Sequence, residues 1–274
     1  MNPNKITNRI NNLFLPKIAA KKTNQFMSTP KEVKFRRIET DTLEKAQKQL
    51  VRFKNFDLQT YIWGENTEKR VFVIHGWEGH SGNFAPIIEV LLKKDCQVIA
   101  FDAPSHGNST KGKTTMFEFG EFISLMLQKY KPQIIISHSF GNVNTAMALK
   151  ENQSVKIKQW FMVASPHDFR NRINSISEII GLSKKAKKYF TVLVAKDAKE
   201  KVENLNMNFY SKELKNVEKY YFIHPKNDEI ISVEAAYRNK EVLPEAKFVE
   251  FEKFGHMSIL WSGNFRQFIS SELK

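Results

Sequence analysis

Ile134-Ile135-Ile136-Ser137-His138-Ser139-Phe140-Gly141 runs three β-branched residues into a small-His-Ser-x-Gly turn. Asn142-Val143-Asn144-Thr145-Ala146-Met147-Ala148-Leu149 follows with the composition of a helix. A buried strand that stops on a serine, with glycine two residues on and a helix behind, is the setting of a nucleophile elbow. The serine there takes a strained backbone that lifts its hydroxyl clear of the sheet, and small neighbours let strand and helix approach. Ser137 stands where a glycine is usual, and Asn142 where a second glycine often follows Gly141.

Further apolar runs lie at 71–74, 98–101, 160–164, 220–223 and 248–251, too uniformly apolar for strands with one wet face. Helix-length segments separate them, at about 84–93, 115–129, 142–150, 232–241 and 259–272. Buried strands alternating with helices predict an α/β fold, a mostly parallel sheet with helices on both faces. The stretch 56–63 alternates instead and reads as a strand exposed on one side, closed by Gly64-Glu65-Asn66. Phe117, Phe119, Phe122, Ile123, Leu125 and Leu127 sit at helical spacing and read as core packing.

One crossover is too long. Some fifty residues separate Ala164 from Tyr220, where a single helix would serve. They read as several helices, including 173–182 and 190–202, with a lysine cluster at Lys184, Lys185, Lys187 and Lys188. An insertion here in an open α/β sheet lies over the carboxyl ends of the strands, where ligands bind. Residues 165–217 are therefore expected to form a helical lid on a core made of 53–164 and 218–274. Residues 1–52 read as a basic helical extension. Ile6, Ile10, Leu13 and Phe14 share one helical face, Pro16, Lys17, Lys21 and Lys22 follow, and the span 39–48 is polar and helix-compatible. Such a helix packs on its own domain or, as the alternative, lies on a membrane surface.

With 274 residues, 41% of them hydrophobic, and 22 Phe, the chain can bury a substantial single core. No run approaches the roughly 20 apolar residues of a membrane span. Met1-Asn2-Pro3-Asn4-Lys5 lacks the apolar run of a secretory signal. The single cysteine, Cys96, forms no internal disulfide or Cys-based zinc site and reads as a core thiol. These features point to a cytoplasmic location. Lys and Arg number 43 against 29 Asp and Glu, a net charge of +14. That excess favours anionic partners, but the lysines are dispersed and no nucleic-acid-binding signature appears. No nucleic-acid partner is expected, and no histidine spacing suggests a metal or other cofactor.

Four features fall at strand ends. His75-Gly76-Trp77-Glu78-Gly79 follows the run at 71–74. Its glycine allows a sharp turn that leaves the Trp77 amide free; with the Phe140 amide it would form a two-donor oxyanion hole. A plain strand-to-helix turn is the other reading. Phe101-Asp102-Ala103-Pro104-Ser105-His106-Gly107 is a fixed loop in which Asp102 organises the turn. Ser139 is third. Fourth come Asp228, just after the strand at 220–223, and His256, after the last strand. Serine needs a base to take its proton, histidine titrates in the useful range, and a carboxylate fixes the imidazole tautomer.

Taken together, His75-Gly76-Trp77, Ser137-His138-Ser139-Phe140-Gly141, Asp228 and Gly255-His256 resemble the α/β-hydrolase superfamily over about 53–274. The order Ser, Asp, His is that superfamily's own. The His75–Gly79 turn and the mixed lid are similar to a bacterial group of single-domain hydrolases of mostly undefined substrate. The resemblance implies the α/β-hydrolase fold with Ser139 as nucleophile, His256 as base and Asp228 as orienting acid, and with the amides of Trp77 and Phe140 as oxyanion hole. Asp168 is the competing acid. His138 is expected to pack beside the elbow, His75 and His106 to tie loops together, and His80, His167 and His224 to line the entrance or serve no catalytic purpose.

The expected function is a serine hydrolase acting on a carboxylic ester or related small-molecule acyl substrate. The alternatives are an acyltransferase or thioesterase using the same residues, with the lysines at 184–188 meeting an acyl carrier's phosphates; a non-catalytic binding protein on the same fold; and a membrane-surface lipase anchored by residues 5–22.

Overall fold

The computed structural model describes residues 15–273. Its centre is one sheet of eight strands: β1 (Gln47–Phe53), β2 (Phe56–Trp63), β3 (Arg70–Ile74), β4 (Gln97–Phe101), β5 (Ile134–His138), β6 (Ile157–Val163), β7 (Val217–Pro225) and β8 (Lys247–Phe251). They are ordered β1-β2-β4-β3-β5-β6-β7-β8. β1 and β2 pair antiparallel, as do β2 and β4, and every other pairing is parallel. Apolar runs without alternation follow from burial on both sides. Phe72 and Ile74 point to one face with Ile99, Ile135 and Trp160, while Val71 and Val73 point to the other with Val98, Ile136 and Phe161.

Among the described residues the sheet is accompanied by helices α1 (Pro16–Met27), α2 (Arg37–Glu44), α3 (Ala85–Lys93), α4 (Glu118–Tyr130), α5 (Phe140–Glu151), α6 (Phe169–Ile180), α7 (Lys184–Ala198), α8 (Met207–Glu213), α9 (Glu234–Val242) and α10 (Gly263–Glu272). α4, α5 and α8 bury apolar side chains on the first face, and α3 and α10 cover the second. Strand order reverses around β3 and β5. At such a switch point the loops at the strands' carboxyl ends part and leave a crevice; the loops carrying His75 and Ser139 emerge there.

Three boundaries differ from expectation. The sheet begins at Gln47, ahead of the expected core start at 53. β1 is an edge strand whose polar alternation, Gln47-Lys48-Gln49, carries no apolar run and suits an edge that resists pairing. The span 39–48, read as polar and helix-compatible, is helix only to Glu44. In the 165–217 insertion the first two helices are Phe169–Ile180 and Lys184–Ala198 rather than 173–182 and 190–202; Asp168 and Ser183 cap them by accepting N–H bonds from Arg170 and Ala186. The lysine cluster thus lies within the first turns of α7.

Residues 15–52 pack into the body. α1 buries Ala20, Thr23 and Met27 and lies against α7. α2 buries Leu43, and the Trp63 indole N–H donates to the Thr42 carbonyl at 3.0 Å. Ile6, Ile10, Leu13 and Phe14 lie outside the described residues. Among the described residues no helix is long and apolar enough to cross a membrane.

Candidate active site

β5 delivers Ser139 at its carboxyl end, and α5 starts on the next residue. Ser139 has φ 54° and ψ −126°, a region that side-chain-bearing residues avoid and that persists only where surroundings enforce it. Close approach supplies the enforcement. A Cβ at Gly141 would meet the His75 carbonyl oxygen at 2.5 Å, and one at Gly76 would meet the Ser139 Cβ at 2.8 Å. Both positions need glycine because backbone or a reacting residue already occupies that space.

The two departures from the usual elbow pattern meet each other. Ser137 Oγ donates to Asn142 Oδ1 at 2.5 Å, the Trp160 indole N–H donates to Ser137 Oγ at 2.7 Å, and Asn142 Nδ2 donates to the Val163 carbonyl at 3.0 Å. All three side chains are buried, so this network ties β5, α5 and β6 together under the serine.

Ser139, His256 and Asp228 form one hydrogen-bonded chain. His256 Nε2 lies 2.8 Å from Ser139 Oγ, and His256 Nδ1 lies 2.8 Å from Asp228 Oδ2. The other Asp228 oxygen accepts the backbone N–H groups of Ile230 at 2.9 Å and Ile231 at 2.8 Å. Burial by itself would raise the Asp228 pKa. The bond and charge of His256, helped by those two amides, outweigh burial and hold the carboxyl below its ordinary value. An ionised Asp228 fixes the proton of neutral His256 on Nδ1 and leaves Nε2 free to accept from the serine. Asp168, the competing acid, instead caps α6 and takes no part in this chain.

Neither the Trp77 nor the Phe140 backbone N–H takes part in a hydrogen bond among the described residues. Phe140 opens α5, where amides lack a helical partner and the dipole favours negative charge. The loop bearing Trp77 is pinned from below by His75. His75 Nε2 accepts the Ala103 N–H at 3.0 Å, which places its proton on Nδ1, and that N–H donates to the Gly76 carbonyl at 2.7 Å. Burial drives its pKa down to about 3 and keeps it neutral. Asp102 is fully buried and accepts from Ser81, Asn108 and Tyr61, a turn organiser as expected.

The remaining histidines are buried and held by hydrogen bonds within the fold. His138 Nε2 donates to the His256 carbonyl at 2.8 Å, with the two rings 4.6 Å apart. Burial, then the neighbouring His256 charge, lowers its pKa to about 3. His106 bonds the Pro104 carbonyl, His167 pairs with Asn239, and His224 donates to the Ile231 carbonyl 3.7 Å from Asp228. His80 is buried against Glu39 and Asn83 rather than lining an entrance. Sequence reasoning missed the Ser137–Asn142 pair and the anchoring of His256 by His138. Both are contacts across elements, with no signature in spacing.

The family described as serine aminopeptidase, S33, matches residues 65–247. A Drosophila melanogaster protein named "Probable serine hydrolase" is 32% identical over 92 residues, which span 31% of this chain and only 28% of that relative's length. Among solved structures, a putative lipase from Acinetobacter baumannii superposes with TM-score 0.65 at 17% identity, covering 89% of this chain and 97% of the other. The thioesterase domain of a curacin biosynthetic pathway gives 0.60 at 15% identity, covering 83% and 98%. At such identities the likeness speaks for the fold alone.

Proposed function

Because the chain belongs to the serine aminopeptidase, S33, family of the α/β-hydrolase superfamily, we propose that this serine hydrolase cleaves a carboxylic ester or related acyl substrate through an acyl-enzyme on Ser139. The observation that carries the reading is the unbroken chain Ser139–His256–Asp228, both links 2.8 Å, beside two unused amides. Ser139 Oγ attacks the carbonyl carbon while its proton passes to His256 Nε2. The carbonyl oxygen, now negative, takes N–H bonds from Trp77 and Phe140; losing one such donor typically costs about 3 kcal/mol of barrier. Asp228 stays ionised and stabilises the imidazolium. His256 returns the proton to the departing alkoxide, and the alcohol leaves. Water then attacks the ester on Ser139 with His256 again as base, releasing the acid and restoring the serine.

A fluorophosphonate probe tests this. Covalent mass on the peptide containing Ser139, absent in Ser139→Ala, is the expected result; a folded wild-type protein that stays unlabelled overturns it. Acyl transfer is the second reading, favoured by one observation. Lys184, Lys185 and Lys188 are exposed at the start of α7 and form no ion pair among the described residues, which suits an acyl donor bearing phosphates. Comparing turnover of an acyl thioester on a phosphorylated carrier with that of the matching simple ester separates the two.

A further inference from the structure

The turn that carries Trp77 is held by a segment of the chain that precedes the first strand. The Gly79 N–H donates to the Gly76 carbonyl at 3.1 Å, which closes a tight turn with Trp77 and Glu78 at its centre. Glu78 has φ 57°. At that place in such a turn a positive φ is usually left to glycine or asparagine, and a larger residue stays there only where its surroundings enforce it. Glu78 Oε1 accepts the Lys31 N–H at 3.2 Å, a first tie between the segment and the turn.

The stronger tie lies on the other side of Gly79. Glu39 of α2 is only 2% exposed, and both its carboxyl oxygens are used: one accepts the Arg36 N–H at 2.6 Å, the other accepts from Asn83 Nδ2 at 3.0 Å. The same Nδ2 lies 3.2 Å from His80 Nε2, which accepts because burial lowers the His80 pKa and keeps the ring neutral. Asn83 Oδ1 in turn accepts the His80 N–H at 3.0 Å. Asn83 thus gives its nitrogen to Glu39 and its oxygen to the loop backbone, and it cannot turn over without losing both. The fit is close: a Cβ at Gly82 would meet Glu39 Cβ at 2.9 Å, and one at Gly79 would meet Asn83 Oδ1 at 3.0 Å. Phe35 lies on the His80 ring, centroids 4.0 Å apart, and the Arg36 guanidinium sits 4.5 Å from the centre of the Trp261 ring, in the short turn after His256. α2 is held to the body without Glu39, by buried Leu43 and the Trp63 bond to Thr42. Burying a carboxyl group costs free energy that only well-placed partners offset, and here those partners are the start of its own helix and this loop.

We infer that Glu39 is a positioning residue of the oxyanion hole: through Asn83 it fixes the backbone of residues 76–83, and with it the direction of the Trp77 N–H. The inference rests on the serine hydrolase reading. A donor stabilises the developing negative charge only as far as it is aimed in advance, so residues 31–43, ahead of the sheet, help to set the rate although none of them touches the substrate.

The test uses the full chain. In Glu39→Ala, kcat on p-nitrophenyl acetate is expected to fall about tenfold with KM within about twofold, the mark of one weakened transition-state hydrogen bond. A fluorophosphonate should label Ser139 to the wild-type end point but about tenfold more slowly. Glu39→Gln keeps the size of the side chain but sets its amide nitrogen against one of the two N–H donors, and kcat falls here too. The double variant Glu39→Gln/Asn83→Asp reverses donor and acceptor at unchanged net charge, and it should return kcat to within about threefold of wild type. Amide exchange reads the loop without turnover: residues 76–83 should exchange about tenfold faster in Glu39→Ala while 134–151 keep their wild-type rate. A kcat unchanged in folded Glu39→Ala, faster exchange in both segments alike, or a double variant no better than Glu39→Gln overturns the inference. Where Glu39→Ala does not fold, Glu39→Gln set against the double variant carries the same comparison. Failure of the hydrolase reading looks different: Ser139→Ala then turns over the ester as fast as wild type, and the exchange of residues 76–83 alone decides for or against Glu39.

Discussion

Ser139 sits at φ 54° and ψ −126°, and holding a side-chain-bearing residue in a sparsely populated conformation costs on the order of 1–3 kcal/mol. That strain is independent of the hydroxyl. Ser139→Ala is expected to keep it and lose turnover, whereas Ser139→Gly loses turnover and relieves it, since glycine adopts positive φ freely. Glycine at 139 should therefore be more stable than alanine by about 1–2 kcal/mol, measured by urea unfolding of both variants. Equal stabilities would mean that the elbow is not strained. One position earlier, the His138 side chain donates to the carbonyl of His256, through an N–H at 2.8 Å, and packs its ring against the His256 ring, and so acts by positioning. His138→Phe keeps a ring in place but removes the donor. We expect kcat on p-nitrophenyl acetate to fall about tenfold, the equivalent of one hydrogen bond, with KM little changed. His138→Gln, which restores a donor, should recover part of the loss. A kcat unchanged in His138→Phe would remove the assignment.

The elbow as an element raises the question of how a strand and helix can meet without the first glycine. Ser137 and Asn142 fill that space with a bond to each other and satisfy the Trp160 indole N–H. Replacing either alone leaves buried polar groups unpaired, at about 1–3 kcal/mol. Replacing both with the pattern's glycines removes the pair together. The double variant Ser137→Gly/Asn142→Gly is thus expected to be less destabilised than the sum of the singles, with a coupling of about 0.5–3 kcal/mol from a urea double-mutant cycle; strict additivity would contradict it. The same contact shows what the sequence can carry. The strands at 71–74, 98–101 and 134–136 were readable because burial on both faces writes continuous apolar runs. The order of Ser139, Asp228 and His256 was readable because each follows a strand that brings it to one edge. β1 was not, since an exposed edge strand alternates polar residues with little apolar signal. Nor was the packing of α1, whose buried face of Ala20, Thr23 and Met27 is small and finds its partner far along the chain in α7.

At the scale of the whole molecule, the histidines matter beyond catalysis. His75, His106 and His138 are buried, hydrogen-bonded and neutral, and burial depresses each pKa from 6.5 to about 3. Between those values the unfolded chain binds protons that the folded chain refuses. Stability is then fully present above about pH 6.5 and is lost as pH falls toward 3, at up to about 1.4 kcal/mol per unit for each histidine. Asp228 pushes the same way at lower pH, because its folded pKa lies below its ordinary value. A chain of net charge +14 gains further positive charge on acidification, and self-repulsion adds to the loss. Three histidines acting together at about 4 kcal/mol per unit would consume the 5–15 kcal/mol of an ordinary domain within a few units. The melting temperature should therefore be nearly level from pH 8 to 7, fall steeply between pH 6.5 and 5, and leave the protein unfolded near pH 4. Calorimetric scans across that series read it directly. A melting temperature that stays level down to pH 4.5 would mean that these three imidazoles accept protons without loss of fold, and the hydrogen bonds that hold the Trp77 loop and His256 in place would have to be assigned differently.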